Sequence, residues 1–435
     1  MFLGHFALRV ELISIVVLAI MFVIATWRDV NMGVLGFVAA FVLGTFFLHL
    51  EISEIWTGFP VDLCVALVGL TYLFGFAHNN GAIEVLVTWS LRLVRGNLAL
   101  APWIFFAIAV VVMAIGAVFS IGIVTPLALS FARRHHINQF MMGLLVVHGA
   151  LAGAFSPISV YGVFINGFLS NRGLEPTPFS LFIAPLLFNL VFAIVVYLVL
   201  RHRPEAHLLA SSDDAVGTVA RASESDAPAA AQRTQRLTAY QIATLIALAM
   251  MVVLVIGFNL NIGVVSMGLA AVLAILRPSE GAAALGRVSW SVVVLIAGVL
   301  TYIAVLQRAG TVEWVSNGIS TVSIPLVAAL LLFYFSGFVS ALASSLGVIS
   351  VVIALAVPFL QSGDVHVAGF VAALAISATI VDISPFSTGG AMVLANVRAD
   401  IRDWYYKRML GYAGLMCLIG PGLAWFVAAV PTWLR

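Results

Sequence analysis

Long apolar runs without charged side chains are the feature that most limits what this chain can fold into. Residues 98–131 and 324–360 contain no aspartate, glutamate, lysine or arginine. A membrane-spanning helix needs about 20 consecutive apolar residues, and only helices and closed barrels pair all their backbone groups inside lipid. Barrel strands alternate polar and apolar residues, whereas these runs do not. The sequence therefore predicts an all-α polytopic membrane protein.

The composition agrees with this fold class. Apolar residues make up 63% of the 435 residues and charged residues 9%, whereas a soluble domain carries about 25% charged residues. A soluble enzyme, a nucleic-acid-binding protein and a disordered protein are thereby excluded. The two cysteines, Cys64 and Cys417, stand alone in separate apolar runs, so no metal site is expected. We expect no cofactor, apart from Na⁺ as a candidate coupling ion.

One polar segment divides the apolar runs into two groups. Residues 201–238 are rich in Ala, Ser and charged side chains, a composition typical of a flexible linker. This predicts an N-terminal membrane repeat (1–200) and a C-terminal membrane repeat (239–435). The apolar runs lie near 10–27, 32–50, 61–77, 98–131, 138–169, 179–200, 239–257, 261–277, 289–307, 324–360, 366–397 and 409–431.

Two of these runs have a length that favours re-entrant hairpins. Runs 98–131 and 324–360 are too short for two crossings and a turn, which would need over about 40 residues. Their midpoints, 116–122 and 344–347, consist of small, hydroxylated or apolar residues. A turn that dips into the membrane is tolerated inside protein or against a water-filled cavity. We therefore predict two hairpins that do not cross.

Two other runs contain a Ser-Pro pair near the middle. These pairs are Ser156-Pro157 in run 138–169 and Ser384-Pro385 in run 366–397. Serine is a favoured N-cap and proline suits the first helical turn. Each run is therefore predicted to form two half-helices, with the second starting at the Ser-Pro pair. A continuous helix kinked by proline is the alternative.

The basic residues predict the orientation in the membrane. With the hairpins counted as not crossing, the chain crosses ten times. Sixteen of the twenty lysines and arginines then fall on one side, and the other side receives Arg9, Arg172, Arg308 and Arg435. Because basic residues concentrate on the cytoplasmic side, the linker is predicted to be cytoplasmic and both termini outside. The protein is expected in the cytoplasmic membrane.

Four segments recur in order at nearly constant spacing. The pairs are 31–34 with 261–264, 70–72 with 300–302, 81–84 with 310–313, and 156–162 with 384–390. Each half makes five predicted crossings, and an odd number inserts the second copy upside down. Inverted repeats with broken helices are typical of secondary transporters. A duplicated structural membrane protein without transport is the alternative.

The midplane of this arrangement holds hydroxyls and helix starts but no basic residue. Helix N-termini carry partial positive charge and free N–H groups, so two facing starts would suit a dicarboxylate. A serine that hydrogen-bonds only its own helix is the alternative for each hydroxyl. The predicted substrate-binding residues are Ser156, Pro157, Ser159, Asn166, Ser384, Pro385, Ser387, Thr388, Ser120, Ser344 and Ser345.

Three residues are predicted to couple a cation. Asp382 lies in an apolar run two residues before Ser384, and intramembrane carboxylates are functional candidates. It could bind Na⁺ or carry a proton, or be a buried, partnered carboxyl. His148 could relay a proton, or be a histidine with satisfied ring nitrogens. Asn396 ends the same segment as Asp382 and completes the set.

Both Ser-Pro segments resemble a known family. The stretch 376–391, which Asn396 follows, resembles the C-terminal signature of the MatC-type dicarboxylate carriers. These carriers belong to the ion transporter superfamily and are relatives of the divalent anion/sodium symporters. Segment 155–162 with Asn166-Gly167 resembles the matching N-terminal signature. The resemblance implies two inverted five-helix repeats, re-entrant hairpins, an elevator-like movement, usually in a homodimer, and malonate or a C4-dicarboxylate as substrate.

The hairpin tips depart from that pattern. The symporter relatives carry Ser-Asn-Thr at each tip, where this chain has residues 117–120 (Ala-Val-Phe-Ser) and 344–347 (Ser-Ser-Leu-Gly). The substrate and sodium sites of those relatives therefore do not transfer directly. A cation/proton antiporter or an inorganic-anion exporter of the same superfamily is the alternative function.

An intramembrane hydrolase built on Ser156 and His148 is disfavoured. Two residues eight apart on one helix are separated by about 12 Å of rise, which is too far for a hydrogen bond. The sequence therefore predicts a transporter and no enzyme.

Overall fold

Helices account for all the regular structure that is described. The computed structural model describes residues 2–28, 30–83, 85, 89, 98–202, 237–312, 314–315, 325–342, 344–361, 363 and 365–433, and contains no strand within them. This confirms the predicted all-α fold with apolar spans. The predicted linker falls almost entirely outside the described residues, between 203 and 236, so the division into 1–200, 201–238 and 239–435 stays a prediction.

Nine α-helices of the described residues precede the linker. They are α1 (Phe2–Arg28), α2 (Met32–Val42), α3 (Ile52–Trp56), α4 (Val61–Asn79), α5 (Ala101–Ala114), α6 (Ser120–Arg134), α7 (Gln139–Gly153), α8 (Val160–Asn171) and α9 (Pro178–Leu200).

Ten described helices follow the linker. They are α10 (Ala239–Val252), α11 (Ile262–Leu276), α12 (Pro278–Leu285), α13 (Trp290–Arg308), α14 (Pro325–Ser340), α15 (Ser345–Gln361), α16 (Val367–Thr379), α17 (Thr388–Ala395), α18 (Arg402–Ala424) and α19 (Val430–Trp433).

Six helices of the described chain are long and apolar enough to cross a membrane. They are Val10–Arg28, Val61–Asn79, Pro178–Leu200, Ala239–Gly257, Trp290–Arg308 and Arg402–Ala429. Three lie in each half of the chain, in corresponding order. Most residues of α4 and α13 are buried, whereas the other four spans present most of their residues to the surroundings. The molecule is thus a polytopic membrane protein with α4 and α13 near its centre. The predicted total of ten crossings stays a prediction.

Related segments of the two halves form the same local structure. The Asn31 side chain caps α2 by accepting a hydrogen bond from Gly33 N at 2.8 Å, and Asn261 caps α11 by accepting one from Gly263 N at 2.9 Å. An asparagine N-cap satisfies a donor that the first helical turn cannot pair. The sequence match at 31–34 and 261–264 therefore reflects a repeated helix start.

The halves are interlocked by glycines. Helix α2 of the first half packs on α13 of the second, and α11 of the second half packs on α4 of the first. A Cβ at Gly298 would lie 1.8 Å from the Gly33 carbonyl oxygen, and one at Gly69 would lie 2.8 Å from the Gly263 carbonyl oxygen. Small residues let helix backbones approach closely where lipid supplies no hydrophobic driving force between helices. The helices that pack together in this way form one helix group, the scaffold group, which consists of α1, α2, α4, α10, α11 and α13.

The remaining long helices form a second group, the site group, which consists of α5–α9 and α14–α18. Within it, α5 and α6 form one helix–turn–helix hairpin, and α14 and α15 form another. At 1.5 Å per residue, α5 is about 21 Å long and α14 about 24 Å, which is less than the ~30 Å of hydrocarbon in a bilayer. These lengths agree with the predicted re-entrant hairpins, whose depth in the membrane stays a prediction.

Candidate functional site

The interrupted helices of the site group restart three residues later than predicted. The second half-helices begin at Val160 and Thr388, and their N-caps are Ser159 and Ser387. The prediction that they start at Ser156-Pro157 and Ser384-Pro385 is therefore wrong. Each Ser-Pro pair instead belongs to a short turn between the half-helices. The cap serines, Ser159 and Ser387, fix the geometry of these turns.

The two turns make the same hydrogen bonds. Ser159 Oγ lies 2.5 Å from the Ala154 carbonyl oxygen and 2.8 Å from that of Ser156, and it accepts from Gly162 N at 3.1 Å. Ser387 Oγ likewise lies 2.6 Å from the Asp382 carbonyl oxygen and 2.7 Å from that of Ser384, and it accepts from Gly390 N at 3.2 Å. Both cap hydroxyls are buried and fully engaged by backbone.

The serines of the Ser-Pro pairs are bonded more loosely. Ser156 Oγ accepts from Ile158 N and Ser384 Oγ accepts from Phe386 N, each at 3.3 Å. Both side chains are buried. Each hydroxyl keeps its own proton for a further partner, because these contacts use it only as an acceptor.

The two hairpin tips and the turns of the two broken helices meet at one cavity, the central cavity, with a volume of about 480 Å³. Its wall includes the first hairpin tip (Val118, Phe119, Ile121), the second hairpin tip (Leu342, Ser344, Leu346), the first broken helix (Ala154, Tyr161) and the second (Asp382, Phe386, Thr388, Gly389). Residues of α1, α2 and α13 complete it. Irregular backbone from both halves thus surrounds a space of the size that a small molecule needs.

Asp382 ties the second broken helix to the second hairpin. Its Oδ1 accepts a short hydrogen bond from the Ser345 hydroxyl. The Ser345 and Ser340 hydroxyl oxygens lie 2.9 Å apart, and Ser340 donates to the Ala378 carbonyl at 2.5 Å. The carboxylate therefore holds the first residue of α15 against the turn after α16.

The chain's comparison with known proteins agrees with this architecture. Residues 8–154 match the family model for the N-terminus of the dicarboxylate carrier protein MatC. The match runs from α1 to the end of α7, about a third of the chain, and it confirms the family resemblance predicted from the sequence. No curated protein gives a significant match.

Only some of the predicted site residues reach the central cavity. Ser344, Asp382 and Thr388 line it. Ser345 does not belong to the wall but donates a hydrogen bond to Asp382, which does. The residues Ser156, Pro157, Ser159, Ser384, Pro385 and Ser387 lie behind the wall, in the two turns that shape it. Ser120 begins α6, where its hydroxyl donates to the Ala109 carbonyl at 3.2 Å.

The two predicted asparagines bond to the backbone. Asn166 donates to the Gly162 carbonyl and accepts from Thr177 N, both at 2.9 Å. Asn396 donates to the Met392 carbonyl at 2.8 Å, one turn back in the same way. In these positions the amides fasten α8 and α17 rather than face the cavity.

The His148 ring nitrogens both have neutral partners. Nδ1 lies 2.9 Å from Asn189 Oδ1, and Nε2 lies 2.8 Å from the Tyr412 hydroxyl. The residue is fully buried among α7, α9 and α18. Its bonds therefore join three helices, as in the alternative interpretation of a satisfied histidine, and neither nitrogen faces Ser156.

Sequence reasoning missed four polar residues of the cavity wall, namely Thr26, Asn31, Tyr161 and Ser291. Asn31 and Tyr161 belong to the repeated segments, so the repeat could have drawn attention to them. Asn31 Nδ2 donates to the Ser291 carbonyl at 2.7 Å, although 260 residues separate the two. That contact arises only from the packing of α2 on α13.

Among the described residues that line the cavity, Asp382 is the only one with a charged side chain. No lysine, arginine or histidine of the described chain appears in the wall. A bound anion would be held by hydroxyls, an amide and the N–H groups at the start of α17. A bound cation would be held by the Asp382 carboxylate and by carbonyl oxygens of the turn.

Proposed function

We propose that this chain is a secondary active transporter that moves small organic dianions of the malonate and C4-dicarboxylate class across the cytoplasmic membrane, coupled to Na⁺ or H⁺. One observation carries the proposal. Two hairpin tips and two broken helices, one of each from either half, surround a single cavity whose wall includes polar side chains from both halves. Broken backbone at such a place is costly unless it lines a binding site or path. The MatC match supports the dicarboxylate class.

The substrate would be held without a cation from the protein. Thr388 and Gly389 line the cavity at the start of α17, where the free N–H groups and the helix dipole favour an anion. Ser344 faces it from the second hairpin tip and Tyr161 from the start of α8. The buried hydroxyls of Ser156 and Ser384 lie one turn behind these starts.

The Asp382 carboxylate supplies the reason for cation coupling. Two like unit charges 4 Å apart repel by about 4 kcal/mol at an effective dielectric of about 20. A dianion could therefore enter the cavity only when Asp382 is protonated or paired with a cation. Carbonyl oxygens of an unwound turn are suitable Na⁺ ligands in transporters, and Asp382 lies in such a turn.

Transport would proceed by movement of the site group against the scaffold group. The contacts between the groups involve mainly α8 on α4 and α15 on α13. Two inverted repeats, re-entrant hairpins and a homodimer that anchors the scaffold groups belong to this proposal. So does the predicted orientation, with a cytoplasmic linker and external termini.

Uptake of labelled malonate or succinate into proteoliposomes, with imposed Na⁺ or pH gradients, tests the function. We expect gradient-driven uptake that Asp382→Asn uncouples or abolishes, while Asp403→Asn, an exposed carboxylate in the first turn of α18, leaves it unchanged. Combined Ser156→Ala and Ser384→Ala should weaken uptake. Wild-type liposomes that accumulate neither anion under any gradient would refute the proposal.

A cation/proton antiporter is the second candidate, because a carboxylate is the only charged group that the described residues place in the wall of the central cavity. In that case a pH or Na⁺ jump would drive cation flux in the absence of any dicarboxylate. The same liposomes, loaded with a pH-sensitive dye, distinguish the two functions.

A further inference from the structure

A second cavity of about 520 Å³ adjoins the central one. It lies between the end of α4, the first hairpin tip and the start of α13. Val118, Phe119, Ser291 and Met392 belong to the walls of both cavities. The two cavities are therefore neighbours that share part of their walls. We call the second cavity the Arg287 vestibule.

Arg287 provides the vestibule with a positive charge, and no carboxylate of the described residues forms an ion pair with it. Its Nε donates to Asn79 Oδ1 at 3.2 Å, and its other donors have no partner among the described residues. The ion pairs found in the described chain are those of Arg308 with Glu54 and of Arg398 with Asp400. A guanidinium with free terminal N–H groups is the side chain best suited to bind a carboxylate by two parallel hydrogen bonds.

The opposite end of the α4–α13 pair carries a related cavity of about 540 Å³, lined by the start of α4 and the end of α13. There Arg308 donates to Thr57 Oγ1 at 3.1 Å. At the repeat offset of 230, position 57 corresponds to position 287, so the two ends of the helix pair are matched. At each end an arginine of the second half donates to a side chain of the first half, Arg287 to Asn79 and Arg308 to Thr57. Arg308 lies on the side predicted to hold only four basic residues, where the positive-inside rule gives no reason for it.

We propose that the Arg287 vestibule is a carboxylate-binding access site, through which dianions reach the central cavity. The inference rests on the proposed function and deepens it. A charged cleft with low-dielectric walls concentrates ions of opposite sign and raises their association rate. The described residues place no cationic side chain in the wall of the central cavity, so the vestibule supplies this attraction.

The first test is the concentration dependence of uptake. Arg287→Gln should raise the KM for malonate and succinate about 5-fold, as expected for one charged hydrogen bond in a partly solvated site, with a maximal rate close to wild type. Arg287→Lys, which keeps the charge, should recover part of the loss. Higher salt should shrink the difference between the variants, because it screens exposed charges.

Arg277→Gln is the matched control. Arg277 and Arg287 flank the short helix α12, and both are exposed. The Arg277 guanidinium lies over the Tyr240 ring, 4.7 Å from its centroid, and outside the vestibule wall. Its removal changes the net charge of the same region equally, so the KM should stay at the wild-type value.

A second test does not depend on transport. Trp290 lines the vestibule and is 49% exposed, so iodide, an anionic quencher, reports the anion concentration beside it. The Trp290 signal is the difference between the fluorescence of wild type and of Trp290→Phe. We expect Arg287→Gln to reduce quenching by iodide but not by neutral acrylamide, and succinate to protect against iodide in wild type only.

The two tests separate the inference from the proposed function. If the wild type transports dicarboxylates while Arg287→Gln keeps the wild-type KM and iodide quenching, the vestibule is no carboxylate site and the proposed function stands. If the wild type transports no dicarboxylate, yet iodide quenching depends on Arg287 and succinate displaces it, the proposed function fails and the anion site stands.

Discussion

The glycines that follow the two cap serines give the sharpest prediction about the site. A Cβ at Gly390 would lie 2.0 Å from the Ser384 carbonyl oxygen, and one at Gly162 would lie 1.9 Å from that of Ser156. Ordinary contacts of a Cβ start at 3.4 Å. Alanine at Gly390 therefore requires a displacement of 1.4 Å, the difference between 3.4 and 2.0 Å.

The surrounding bonds oppose that displacement. The Ser384 carbonyl oxygen accepts from the Ser387 backbone at 3.0 Å and from its hydroxyl at 2.7 Å. Alanine would therefore move the start of α17 as a unit or break the cap. Overpacking of this kind costs about 1–3 kcal/mol of stability, and a shift of about 1 Å in a positioning element can cost about 100-fold in rate.

The assay combines thermal unfolding of the purified protein with initial rates of dicarboxylate uptake. Gly390→Ala and Gly162→Ala should both lower the melting temperature and reduce uptake far more than stability alone explains. Gly411→Ala is the control, because a Cβ there meets no atom within 4 Å and alanine favours a helix. Wild-type rates and melting temperature for Gly390→Ala would refute the assigned turn geometry.

Three further predictions concern caps and packing. Ser387→Ala should cost about 0.5–2 kcal/mol of unfolding free energy through the lost N-cap, measured by thermal unfolding, and Ser387→Asn should restore most of it; equal losses in both would argue against a capping role. His148→Phe should lower the melting temperature by leaving two buried partners unpaired while the cation-to-substrate ratio in liposomes stays constant, and a changed ratio would restore its predicted part in coupling. Gly298→Ala should destabilise the protein strongly, because its Cβ would lie 1.8 Å from the Gly33 carbonyl oxygen; a melting temperature equal to that of Gly411→Ala would contradict this.

Much of the fold could be predicted because lipid makes it a local property. Each apolar run must satisfy its own backbone hydrogen bonds, so runs such as 61–77 and 289–307 become helices close to their predicted positions, as α4 and α13 show. The sequence match between 31–34 and 261–264 likewise corresponds to matching helix starts, which Asn31 and Asn261 cap.

The helix restarts show where sequence reasoning fails. Ser156 and Ser159 are both competent N-caps, and proline after Ser156 favoured the earlier one. The structure uses Ser159, because its hydroxyl also reaches the carbonyls of Ala154 and Ser156. Several hydrogen bonds at once decide between two local options of nearly equal free energy.

The sequence by itself determined the helical membrane fold, the repeated segments, the interruptions of four apolar runs and the single carboxylate among them. Only the tertiary structure decided that those interruptions meet, that Asn31 reaches Ser291, and that Arg287 lies in a vestibule beside the central cavity. The physical reason is separation along the chain. Hydropathy and capping act over a few residues, whereas the walls of both cavities are joined by the close packing of helices more than two hundred residues apart.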